Sequence, residues 1–263
     1  MKFTLPTLVT AWGLVASSAA NTPLTVNKTP VDVTLFVMSR CPDAMKCEYV
    51  FSQVFQTENL PPVKPLLSYI GSIHRTTIAT PSSPHADAAT GALTFTTSTT
   101  TTTSVTCKHG PLECAGNIQQ LCFKKYFPDH KVWVPFVVTM NSLQPTRIGD
   151  PKYAREVAEK VLGSITKEEG KSEVPLDQVD ECAKGEEGFE LLVESVQYTI
   201  DHGIGTSCTM FIDNKKRCVV DGGFWRDCPE GSMVSDFVRS IQEAASRFTS
   251  RLVQSRLLRW SSS

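Results

Sequence analysis

The sequence predicts an α/β fold: a mixed β-sheet with flanking helices, stapled by disulfides and carrying a low-complexity, Thr-rich insertion. Three observations lead there. Between residues 31 and 70, a β-branched run, a cysteine at the head of an amphipathic stretch and a second apolar run follow one another, the order of a βαβ unit. Towards the other end, residues 209–212 and 217–220 flank the polar Asp213-Asn214-Lys215-Lys216 and read as a β-hairpin. Nine cysteines stand behind an apolar leader, which points to an oxidising compartment where disulfides persist.

The leader comes first. Lys2 gives a small positive start, residues 5–16 form a short apolar run, and Ser18-Ala19-Ala20 supplies small residues for cleavage. Residues 1–20 therefore read as a secretory signal peptide, because the run is shorter than the roughly 20 residues a membrane span needs. An N-terminal core helix is the alternative. Asn27-Lys28-Thr29 is an acceptor triplet for N-glycosylation. No later apolar run reaches about 18 residues, so no membrane span is expected. The mature protein is expected to be secreted or held in an endomembrane lumen such as a lysosome or vacuole. The chain has 263 residues and a formal net charge of -1, which excludes an electrostatic case for a nucleic-acid partner.

Residues 31–38 carry no breaker and read as a buried strand. Ser39 to Asp43 turn into a helix over residues 44–57, with Pro42 suited to its first turn and Met45, Tyr49, Val50, Val54 and Phe55 at helical spacing. A second strand follows at 63–70. Residues 76–104 are mostly Thr, Ser, Ala and Pro and bury too little apolar surface to offset their ordering entropy, so they are expected to form a flexible insertion open to O-glycosylation, within a domain spanning residues 30–250. β-Propensity alone would make strand of the last Thr residues. Residues 114–126 read as helix, 133–140 as an apolar strand, 152–162 as an amphipathic helix, 170–175 as a linker, and 179–182 with 189–200 as further helix. Residues 232–258 read as an amphipathic helix with Phe237, Val238 and Ile241 inward and a basic face, running into a tail at 251–263.

The chemistry centres on Cys41. A thiolate attacks disulfides, and a helix N-terminus offers unpaired N–H groups and partial positive charge that favour an anion. A strand-Cys-Pro-helix layout is that of thioredoxin-like enzymes, whose attacking cysteine opens a C-x-x-C pair. Here the fourth position is Ala44, and the next thiol is Cys47. Six helical residues rise about 9 Å, whereas a disulfide needs Cα atoms within about 7 Å, so the two cannot pair across an unbroken helix. Cys41 and Cys47 are the candidate catalytic residues, and a structural half-cystine is the alternative for Cys47. Nine cysteines also leave one unpaired, with the connectivity of the other eight open.

Cys107, His109, Gly110, Glu113, Cys114, Asn117 and Cys122 are spaced C-x-H-G-x-x-E-C-x-x-N-x-x-x-x-C. This block resembles the signature of the gamma-interferon-inducible lysosomal thiol reductase (GILT) family. Residues 31–41 and Glu181-Cys182-Ala183-Lys184-Gly185 are similar to two further segments of that family. The resemblance implies a thioredoxin-like fold and a thiol oxidoreductase that reduces protein disulfides, with small-molecule thiols as reductant and no cofactor or metal. It assigns the attacking role to Cys41 and leaves the resolving role empty, since Ala44 stands there. It also places Cys208 where thioredoxin-like enzymes carry a cis-proline, so Cys208 is expected to pair with Cys218 or Cys228, or else to partner Cys41. The stapled loop between Cys218 and Cys228 is similar to that of fungal members. A zinc site on Cys107, Cys114, Cys122 and His109 is one competing reading; a redox-inactive binding protein on the same scaffold is another.

Overall fold

A computed structural model describes residues 29–81, 85–86, 93–94, 97–165 and 175–260. The signal peptide, Asn27 and residues 170–174 of the expected linker lie outside them. In chain order the elements are β1 (Val31–Val37), α1 (Pro42–Phe55), β2 (Val63–Tyr69), β3 (Ser72–Pro81), β4 (His85–Ala86), β5 (Leu93–Thr94), β6 (Thr97–Thr106), α2 (Pro111–Tyr126), α3 (His130–Leu143), α4 (Pro151–Ile165), α5 (Leu176–Lys184), α6 (Glu186–Asp201), β7 (Thr209–Ile212), β8 (Lys215–Asp221), β9 (Phe224–Arg226) and α7 (Val234–Trp260).

The main sheet has the order β2-β1-β7-β8-β9. β1 runs parallel to β2, from Val31 opposite Val63 to Val37 opposite Tyr69, and antiparallel to β7, with Phe36 opposite Thr209. A βαβ unit and a ββα unit thus share one mixed sheet, with helices α2 to α6 inserted between them. That is a thioredoxin-like fold. β1 is central and buried on both faces, which explains its unbroken β-branched and apolar run. On one face Phe36 stacks against Tyr198 of α6. On the other, Phe51 of α1 meets Phe237 of α7 with ring centroids 4.9 Å apart.

Three expectations are corrected. Residues 133–140 lie inside helix α3, not a strand. The run was too short for periodicity to decide; Trp133, Val134, Val137, Met140 and Asn141 are buried at helical spacing, and the Asp129 side chain caps the helix by accepting from Lys131 N–H at 2.9 Å. The flanks of the Thr-rich segment are ordered as well: β3 and β6 pair from Ser72 opposite Thr106 to Pro81 opposite Thr97. Threonine is β-branched and suits a strand, and the ladder satisfies backbone groups without much apolar burial. Finally, α1 presents a different stripe from the one expected. Its buried residues are Ala44, Cys47, Glu48, Phe51, Ser52 and Val54, while Tyr49 is 58% exposed.

Candidate functional site

The turn from β1 to α1 carries Cys41. Its N–H donates to the Met38 carbonyl at 3.0 Å and its own carbonyl accepts from Met45 N–H at 3.1 Å, so Cys41 is the N-cap residue of α1. Pro42 takes the first helical position, where its missing N–H would have had no helical partner. Among the described residues Cys41 is the free cysteine. It is 7% exposed, less open than a freely accessible nucleophile would be.

Cys47 is not brought to Cys41 as a second thiol. It is bonded to Cys208 across 161 residues, with Cα atoms 6.4 Å apart. Cys208 follows a cis peptide bond from Ser207 and leads into β7. The expected pairing of Cys208 with Cys218 or Cys228 is corrected: those two bond to each other. The remaining disulfides are Cys107–Cys114 and Cys122–Cys182. All three cysteines of the zinc reading are thereby oxidised, which removes the thiolates that a metal would need.

The 107–122 block lies against the Cys41 turn. The Cys107–Cys114 bridge spans the start of α2, and Gly110 takes the N-cap at φ +86°, a conformation glycine adopts without strain. Glu113, fully buried, accepts from the His109 N–H at 3.3 Å and pairs with the His109 ring. One turn on, Asn117 Oδ1 accepts from the buried Ser39 N–H at 3.0 Å, and its Nδ2 lies 3.8 Å from Cys107 Sγ. Ser39 Oγ donates to the Glu113 carbonyl at 3.2 Å. At Gly116 a Cβ would stand 2.7 Å from Ser39 Oγ, so only glycine allows this approach.

Two further features surround α1. Tyr69 OH donates to Gln120 Oε1 at 2.6 Å, Gln120 Nε2 to Asn141 Oδ1 at 2.7 Å, and Asn141 Nδ2 to Glu48 Oε2 at 2.6 Å. Burial pushes the Glu48 carboxyl up to about 7, against the opposing hydrogen bond from Asn141. On the outer side, Asp43 accepts from the Gly222 and Gly223 N–H groups at 3.0 and 2.7 Å and holds the β8–β9 turn over the start of α1. Sequence reading missed both. Glu48 was detectable in principle, since it falls three and four residues from Phe51 and Ala44 on one helical stripe. Nothing local signalled the contact between Asp43 and a turn 179 residues away.

Fold and site together define a thioredoxin-fold protein with a cysteine at the N-cap of its first helix. A family model described as gamma interferon inducible lysosomal thiol reductase (GILT) matches residues 32–161, which supports membership of that family. No curated protein matches the sequence. Similar solved structures include the oxidoreductase NmDsbA1 from N. meningitidis, at 11% identity over 88% of this chain and 89% of that one, TM-score 0.45. Pseudomonas aeruginosa DsbA is similar at 9% identity over 88% and 89%, TM-score 0.46. A thioredoxin-like oxidoreductase from Silicibacter pomeroyi DSS-3 is similar at 11% identity over 85% and 88%, TM-score 0.45.

Proposed function

We propose that the protein is a thiol–disulfide oxidoreductase of a secretory or lysosome-like lumen that reduces protein disulfides through Cys41. The observation that carries this reading is the free Cys41 at the N-cap of α1 in a chain whose other described cysteines are bonded. Helix N–H groups and partial positive charge favour its thiolate. The Cys41 thiolate attacks one sulfur of a substrate disulfide, forming a mixed disulfide and expelling the other sulfur as a thiolate, which takes a proton from water. Ala44 offers no sulfur to resolve this, and Cys47 is committed to Cys208. An external thiol such as glutathione or cysteine therefore attacks at Cys41 Sγ and frees the second substrate thiol. A second external thiol then restores Cys41, so two external thiols become one disulfide for each substrate bond reduced.

A redox-inactive binding protein is the second reading, and the 7% exposure of Cys41 favours it. Alkylation of the native protein below pH 7, followed by mass mapping, separates the two. Rapid labelling of Cys41 supports the oxidoreductase; no labelled cysteine supports the binding protein.

A further inference from the structure

We propose that Asn117 is a positioning residue for Cys41, and that clamping the turn before α1 is the task of the 107–122 block. The inference rests on the reading that Cys41 reacts as a thiolate.

The block's polar groups converge on Ser39, two residues before Cys41. Asn117 Oδ1 takes the Ser39 N–H, the Glu113 carbonyl takes the Ser39 hydroxyl, and Gly116 leaves room for both. Ser39 and Asn117 are wholly buried, so water is no ready substitute partner for that N–H. Ser39 lies inside the turn closed by Cys41 N–H on the Met38 carbonyl, and fixing it fixes where the chain enters α1. The α2 end of the clamp is itself held. Cys107–Cys114 closes the loop before the helix, the His109–Glu113 pair caps it, and Cys122–Cys182 ties its last half to α5. A helix anchored at both ends therefore holds a short turn through one side-chain amide and one backbone carbonyl. Stabilisation of an anion by a helix terminus is confined to its first turn, so it depends on where Cys41 Sγ sits against that turn.

The test is the pH profile of Cys41 alkylation by iodoacetamide, read by mass mapping of the full chain. Asn117→Ala removes the acceptor. It leaves in place the titratable and charged groups near the turn: Arg40 beside Cys41, the Asp43 carboxylate bonded to Gly222 and Gly223, His109 in the loop before α2 and Glu113 in its first turn. Labelling at pH 6 is expected to slow by roughly tenfold, the size of a favourable helix-terminus effect, with the rate at high pH kept within about twofold. Ser195→Ala is the control. It removes another buried side-chain acceptor, that of the Tyr69 N–H at 2.9 Å, and its profile should follow the wild type. If Asn117→Ala fails to form its four disulfides, Ser39→Ala carries the test, with an expected slowing of about threefold for loss of one neutral hydrogen bond. A labelled Cys41 whose profile is unchanged in the clamp variant, or shifted equally by Ser195→Ala, overturns the inference alone. A wild-type Cys41 that never labels overturns the thiolate reading beneath it.

Discussion

Two side chains on α1 carry the account at the residue scale. Cys41 supplies the sulfur, and Glu48 supplies a buried carboxyl whose Oε1 has no partner among the described residues. With its carboxyl raised from 4.5 to about 7, folded Glu48 holds its proton where the unfolded chain has lost it. Its contribution to stability is present in full below about 4.5 and is lost as pH rises through 7, on the order of 3 kcal/mol in all. Glu48→Gln should flatten that dependence: urea unfolding at pH 5 and pH 8 should differ less in the variant, which should be the more stable protein at pH 8. Equal pH dependence in both proteins would show that Glu48 is charged in the fold.

Elements show which parts of the site a sequence can reveal. The strand-cysteine-helix unit was legible because β1 is buried on both faces and α1 starts at a proline. The apolar run of α3 was not, because a short buried strand and a short buried helix share a composition. The signature block was legible as a pattern but not as a contact, since its partner Ser39 lies 78 residues away. The β8–β9 turn was hidden for the same reason. There, Gly222 at φ +59° and Gly223 at φ +80° form the turn whose N–H groups meet Asp43, and Cys218–Cys228 closes its base. Asp43→Ala should lower stability by about 1–2 kcal/mol and speed hydrogen exchange at Gly222 and Gly223. Unchanged exchange at both glycines would mean that the turn stands without α1.

At the scale of the whole molecule, the cysteines divide by role. Two disulfides tie distant segments together, two close short loops, and one sulfur is left at the head of α1. Arithmetic on an odd count foresaw a leftover thiol; the pairing needed three dimensions, because Cys47 and Cys208 meet only once α1 packs beside β7. Cys122–Cys182 closes 60 residues of helical insertion, so replacing both by alanine should cost about 4 kcal/mol, seen as a lowered urea midpoint. Little or no loss would place the strength of the insertion in its apolar packing. The most direct test of the central claim is reduction of a denatured disulfide-bonded protein with glutathione as reductant. The account predicts that Cys41→Ser abolishes turnover while Cys47→Ser retains part of it at a temperature where it stays folded. Full activity in Cys41→Ser would contradict the account.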